Sequence, residues 1–146
     1  METLINKTSR CAVIGHGSWA TALVKVLTMN ELSIGWFVHN PEVFESLRNE
    51  GRNCRYLSEL EVDMSRIQLS DDLNATVSEA DIIFLVMPAA YLKCYLSDLR
   101  VSLKEKMVVS AVKGIIPDDN LFVTDYLKAH YGLSDSRLCF VCGPTH

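Results

Sequence analysis

Arg10-Cys-Ala-Val-Ile14, then Gly15-His-Gly-Ser-Trp-Ala20, then Thr21-Ala-Leu-Val-Lys-Val-Leu-Thr-Met-Asn30 is the stretch that decides how this chain folds. The first five residues are a short apolar run that reads as a buried strand. The last ten place Ala22, Leu23, Val26 and Leu27 at helical spacing, with Asn30 as a stop signal. Between them lies Gly-x-Gly-x-x-Ala, a turn joining a strand to a helix. In that context it is the fingerprint of a dinucleotide-binding turn. Gly15 permits the tight turn, Gly17 lets the backbone approach a pyrophosphate, and Ala20 allows close packing of helix on strand. The freed N–H groups and the helix dipole then attract phosphate.

Working outward, apolar and amphipathic segments alternate. Ser33 to Val38 reads as a second strand. Asn40 caps a helix opened by Pro41, with Val43, Phe44 and Leu47 on its apolar face and Gly51 at its end. Arg52 to Arg66 has no period and reads as an irregular loop. Ile67 to Leu69 is a short strand, and Asp71 or Asp72 caps a short helix through Glu79. Asp81 to Val86 is a central parallel strand buried on both faces, stopped by Met87-Pro88. A helix is expected over 91–104, a buried strand over 107–111, a helix from Pro117 through about Tyr131, and a last buried strand over 138–141 stopped by Gly143-Pro144. Alternation of this kind predicts a doubly wound α/β domain: a mostly parallel sheet with helices on both faces.

Composition agrees with one folded domain spanning residues 1–146. Residues are 49% hydrophobic and 22% charged, with only seven glycines and four prolines, which excludes disordered and collagenous classes. A net charge of −4 lacks the basic footprint of a nucleic-acid binder, so no nucleic-acid partner is expected. No apolar run reaches the ~18 residues of a membrane span, and Met1 to Arg10 lacks the apolar core of a signal peptide. The five cysteines (11, 54, 94, 139 and 142) are expected to be buried, unpaired thiols, which suits a reducing, cytoplasmic location. The histidines show no metal-ligand spacing, so no metal is expected. Ser18 lacks a nucleophile-elbow context, which argues against hydrolase chemistry. The stop at His146, just past a strand, leads to the expectation of a domain cut from a longer protein.

Further candidates stand at strand ends, where open α/β sheets bind ligands. His39-Asn40 ends the second strand, where many NAD binders carry a carboxylate; without one, NADP is admissible too. Asn40 has a second reading, as the cap of the next helix. Lys113 follows the strand of residues 107–111 and offers a point charge beside Gly114 for a phosphate or carbonyl oxygen. Trp19 either walls the cofactor site or packs under the sheet, and Tyr56 and Tyr91 are similarly open.

Five segments in order carry a family resemblance: Ala12 to Leu23, Tyr56-Leu57 after an Asn-bearing loop, Val86-Met-Pro88, Ser110-Ala-Val-Lys-Gly114 and Cys142-Gly-Pro-Thr-His146. Along essentially the whole chain the sequence resembles the N-terminal, Rossmann-like domain of the NAD(P)-dependent glycerol-3-phosphate dehydrogenases, in the bacterial form with Ala20 in place of a third glycine. The resemblance implies reversible reduction of dihydroxyacetone phosphate to sn-glycerol 3-phosphate by NADH or NADPH, for phospholipid synthesis, in a homodimer. It implies contact of Ser18 and Trp19 with the dinucleotide. His39 and Asn40 would lie by the adenosine ribose, with Tyr56 at the cofactor edge. Lys113 would touch cofactor and substrate, and Gly143 and Thr145 would hold substrate. It also implies that the principal catalytic lysine and the substrate-phosphate arginine belong to a helical domain this chain lacks. No residue here is therefore assigned as catalytic, and the chain alone is expected to bind cofactor without turnover. Rival readings are the cofactor half of a hydroxyacid or hydroxyacyl-CoA dehydrogenase, a non-catalytic nucleotide-sensing domain, and a methyltransferase using S-adenosylmethionine. The segments ending at Gly114 and His146 argue against the first, and the missing acid after the second strand argues against the last.

Overall fold

A computed structural model describes residues 9–141. Along them run β1 (Cys11–Ile14), α1 (Ser18–Met29), β2 (Ile34–Phe37), α2 (Pro41–Glu50), β3 (Ile67–Ser70), α3 (Leu73–Ser78) and β4 (Ile82–Leu85). Then come α4 (Ala89–Ser97), β5 (Met107–Ser110), β6 (Ile115–Ile116), β7 (Leu121–Phe122), α5 (Val123–Tyr131) and β8 (Leu138–Phe140). Six strands form a parallel sheet in the order β3-β2-β1-β4-β5-β8. The chain builds outward from β1 to β3, crosses back, and builds the other way from β4. The order therefore reverses between β1 and β4, and a crevice opens above their carboxyl ends.

The two-residue period of the strands sorts the core into two layers. Ala12, Ile14, Ile83 and Leu85 face one side, where Val77, Leu92 and Leu127 of α3, α4 and α5 cover them. Val13, Trp36 and Ile82 belong to the other layer, under Val24 of α1 and Val43 and Leu47 of α2. Helices on both faces confirm the doubly wound reading. Each fully buried large side chain contributes about 2 kcal/mol by leaving water.

Several elements depart from expectation. In α1 the buried positions are Ala20, Thr21, Val24 and Thr28, whereas Val26 is exposed. The threonines tolerate burial because their hydroxyls donate back to Gly17 O and Val24 O, each at 3.0 Å. Helix α4 starts earlier and ends at Ser97, not 104. Asn74 of α3 stops it: its amide donates to Asp98 O at 2.9 Å and its carbonyl accepts from Arg100 N at 2.7 Å. Beyond that point Leu103 fills the core from irregular backbone. The helix expected from Pro117 begins only at Val123, after an antiparallel β6–β7 hairpin. Asp118 (φ 70°) and Asn120 (φ 53°) are left-handed there, which no helix accommodates. The last strand is not a buried one: β8 is an edge strand, with Cys139 and Phe140 exposed. Among the described cysteines only Cys11 is buried; Cys54, Cys94 and Cys139 are exposed on a loop, an outer helix face and the sheet edge. Cys142 lies outside the described residues.

Candidate functional site

The turn after β1 is fixed by three features. Gly15 has φ 129°, and a Cβ there would sit 2.0 Å from Val86 O, so no other residue fits without moving backbone. The indole N–H of fully buried Trp36 donates to Gly15 O at 2.7 Å and braces the loop from below. Ala20 is fully buried against the sheet, as its small size requires. Gly17 differs: its φ is −75°, and no atom lies within 4 Å of a Cβ placed on it. Sterics do not demand a glycine here: it is the N-cap of α1, and the space beside it is open.

The head of α1 is also left bare. Its N-cap is Gly17, with no side-chain hydrogen bond and no acid in the first turn. Helix α2 is capped by Asn40, whose side chain accepts from Val43 N at 3.0 Å, and α3 by Asp72, which accepts from Ala75 N at 2.9 Å, whereas α4 and α5, like α1, have no side-chain cap. An uncapped helix start with free N–H groups and a partial positive charge suits an anion. It opens into a cleft of about 410 Å³ that brings together Gly17, Ser18, Trp19, Ala20 and Lys113. Val86, Met87 and Pro88 at the end of β4 supply its apolar wall. Trp19 is 42% exposed, so it walls the cleft and does not pack under the sheet. Lys113 reaches the cleft from the end of β5, with Gly114 (φ 93°) behind it.

His39 and Tyr56 do not line that cleft. His39 is exposed at the end of β2 and borders two neighbouring clefts, both of which also contain Asp71. Asp71 directly follows β3, the strand beside β2, so a carboxylate does stand near the end of β2, supplied by the turn after the next strand. Asn40 serves as the cap. Tyr56 leans on His16, with ring centroids 6.4 Å apart. Tyr95 Oη lies 3.3 Å from His16 Nδ1, and the Tyr95 ring meets Phe37 and His39 edge-on. These aromatic rings form a patch beyond the cleft, on the β2 side. Burial of His16, with the nearby His39 and Arg55, pulls its pKa below the ordinary histidine value. Burial pushes Tyr95 up. Gly143 and Thr145 lie outside the described residues. Tyr91 is exposed.

Sequence reasoning missed Trp36, Asn53 and Tyr95. Asn53 is fully buried, and its amide donates to His16 O and Thr21 Oγ1, both at 2.9 Å. The one available signal was an asparagine three residues before Tyr56; its partners lie more than thirty residues away in sequence. Among the described residues no helix is long and apolar enough to cross a membrane, and no cluster of three His, Cys, Asp or Glu is placed to hold a metal.

The strand order, the reversal above β1 and β4 and the glycine turn define a Rossmann-type α/β domain. Residues 10–146 match the family described as NAD-dependent glycerol-3-phosphate dehydrogenase N-terminus, and the chain belongs to that family. It is 38% identical over 104 residues to the glycerol-3-phosphate dehydrogenase [NAD(P)+] of Azotobacter vinelandii, covering 71% of this chain and 30% of that protein. It is 34% identical over 133 residues to the enzyme of the same name from Ectopseudomonas mendocina, covering 91% and 38%. The chain thus spans well under half the length of these relatives. The crystal structure of glycerol-3-phosphate dehydrogenase from Coxiella burnetii superposes with a TM-score of 0.76 at 20% identity, over 87% of this chain and 39% of that one. The Saccharomyces cerevisiae enzyme gives 0.76 at 20% identity, over 94% and 42%. These superpositions confirm the fold.

Proposed function

We propose that this chain is the dinucleotide-binding domain of an NAD(P)-dependent glycerol-3-phosphate dehydrogenase. The whole enzyme would interconvert dihydroxyacetone phosphate and sn-glycerol 3-phosphate. The observation that carries the reading is the cleft in which Gly17 leaves room for a ligand, the head of α1 is uncapped, and Lys113 stands across from them.

The N–H groups that open α1 hold the pyrophosphate, and Gly17 lets it approach the backbone. Trp19 and the Val86-Met87-Pro88 wall keep water from the nicotinamide side. Lys113 presents its ammonium to the phosphate or carbonyl oxygen of the substrate. The β2 side receives the adenosine ribose beside His39 and Asn40, with Tyr56 at the cofactor edge. When bound, a reduced nicotinamide supplies the hydride. Gly143 and Thr145 complete the substrate contacts. The proton donor and the substrate-phosphate anchor belong to the remaining length that the relatives carry, so this chain alone binds cofactor without turnover. The complete enzyme acts in the cytoplasm as a homodimer.

Titration with NADH, NADPH and S-adenosylmethionine, read by tryptophan fluorescence, tests the site. Trp19 reports on the cleft, while the protein's other tryptophan, Trp36, is fully buried. Quenching by a reduced nicotinamide dinucleotide, abolished in Gly17→Trp, is expected. No response to either dinucleotide overturns cofactor binding by this chain. Reduction of dihydroxyacetone phosphate at the rate of a full-length relative overturns the claim that turnover needs the rest of the enzyme.

A further inference from the structure

Asn53 is the polar side chain whose placement the cofactor reading leaves unexplained. It is fully buried, yet it lies in an irregular segment between α2 and β3. All four of its hydrogen-bonding positions are used. Two N–H donors go to His16 O and Thr21 Oγ1, each at 2.9 Å. Its carbonyl oxygen accepts from Arg55 N at 3.1 Å and Tyr56 N at 3.2 Å, closing an Asx turn. The first pair grips the glycine turn and the first turn of α1. The second pair sets the backbone that carries Tyr56.

The segment has other ties, but they lead elsewhere. Arg52 pairs with Glu61 inside it, Arg55 with Glu42 of α2, and Lys25 Nζ donates to Glu61 O at 2.8 Å. Of these side-chain ties, none reaches the residues between Gly15 and Gly17. Thr21 relays the grip, since its own hydroxyl donates to Gly17 O at 3.0 Å. The Asn53 amide thus joins by hydrogen bonds the turn that receives phosphate to the loop that carries Tyr56, whose ring also leans on His16.

Resting on the dinucleotide reading above, we propose that Asn53 is a positioning residue for cofactor: it locks the Gly15–Gly17 turn and the Tyr56 loop into one arrangement, so that each is set before the dinucleotide arrives. It touches no ligand itself. Preorganisation of this kind lowers the ordering cost of binding.

The test compares variants by NADH affinity and by thermal melting. Asn53→Asp retains both acceptors for the 55 and 56 amides but removes both donors, so the Asx turn survives, the bond to His16 O is lost, and the Thr21 hydroxyl is drawn from Gly17 O toward the carboxylate. Affinity is expected to fall about tenfold, the worth of one to two hydrogen bonds. Salt screens a buried carboxylate only weakly, so the uncharged Thr21→Val variant is the arm that separates loss of the grip from repulsion by the new charge. Thr21→Val removes one acceptor in a nearly isosteric side chain and keeps the question answerable if Asn53→Asp does not fold; about threefold weaker binding is expected. Leu127→Ala, buried in α5 away from the site, is the control: it lowers the melting temperature and leaves affinity within about twofold. In a double-mutant cycle, Tyr56→Ala costs less affinity in the Asn53→Asp background than in the parent, because the Tyr56 loop is already misplaced. Folded Asn53→Asp or Thr21→Val protein binding NADH as the parent does overturns the proposal, as does strict additivity in the cycle. A parent chain that binds neither NADH nor NADPH instead overturns the cofactor reading on which it rests.

Discussion

Gly15 and Gly17 stand two residues apart in one turn, and the structure gives them opposite roles. Alanine at 15 must adopt φ 129°, in the region that L-residues rarely enter, with its methyl 2.0 Å from Val86 O. Carbon and carbonyl oxygen need more than 3 Å, so the end of β4 or the β1–α1 turn must shift by about 1 Å. Trp36 resists that shift, because its indole is bonded to Gly15 O from a fully buried position. Backbone strain and overpacking each cost about 1–3 kcal/mol, so Gly15→Ala is expected to lose about 4 kcal/mol. For a domain of this size that is a fall in melting temperature of about 8–16 °C. Alanine at 17 meets nothing within 4 Å and keeps an ordinary φ of −75°. Its cost is that of alanine at an N-cap, under about 1 kcal/mol. The methyl instead occupies the space left for phosphate, so dinucleotide affinity falls about tenfold or more. The assay pairs calorimetric melting with NADH titration on the same two variants. Gly15→Ala melting within about 2 °C of the parent, or Gly17→Ala losing as much stability as Gly15→Ala, refutes the reasoning.

Trp36→Phe leaves Gly15 O without its buried donor and a void beside it; a loss of about 2–4 kcal/mol is expected in urea unfolding, together with weaker NADH binding. Asn74→Ala removes the two bonds that end α4, at Asp98 O and Arg100 N, and is expected to cost about 1–2 kcal/mol by the same measurement with affinity unchanged. His16 titrates below the ordinary histidine value of 6.5 in the folded chain, chiefly through burial, so the unfolded chain binds its proton first. Its contribution is complete above pH 6.5 and is lost as the pH falls toward its lowered folded value. Melting temperature is therefore expected to drop between pH 7.5 and 5, and His16→Gln to drop less over the same interval.

What the sequence made legible was local. The cap by Asn40, the αL stop at Gly51 (φ 66°) and the apolar run of β4 each depend on residues within a few positions, and the structure has all three. The glycine turn was legible because its steric needs follow from its own residue types. The misreadings share a cause: a partner distant in sequence. Helix α4 ends where Asn74, some twenty-four residues earlier, captures its chain end, and no pattern within 91–104 records that. The face of α1 was read only in part: Leu23 and Leu27 pack on the core and Val26 does not, while Thr21 and Thr28, which count as polar in a periodicity, are buried with their hydroxyls satisfied by their own helix. Residues 117–122 carry helix-opening signals, but Asp118 and Asn120 tolerate left-handed backbone, so the hairpin wins.

The same limit divides the site. Gly17 and Ala20 were legible in the glycine turn and Lys113 at a strand end, because a parallel sheet delivers every strand's carboxyl end to one edge whatever the loops do; Ser18 and Trp19, which line the same cleft, were implied as contacts by the family resemblance. Asn53 and Trp36 were not found, because a buried donor is recognised by its acceptor, and both acceptors here lie in the turn after β1. Apolarity behaved likewise at β8: Phe140 and Val141 have the residue types of a core yet stand exposed, as do Ile115 and Phe122 on the hairpin. Hydrophobic type records that a side chain prefers to leave water; it does not record which surface covers it. The glycine turn is thus written in its own residues. The rigidity that would make it a binding site is written in two side chains, at 36 and 53, that only the fold brings beneath it.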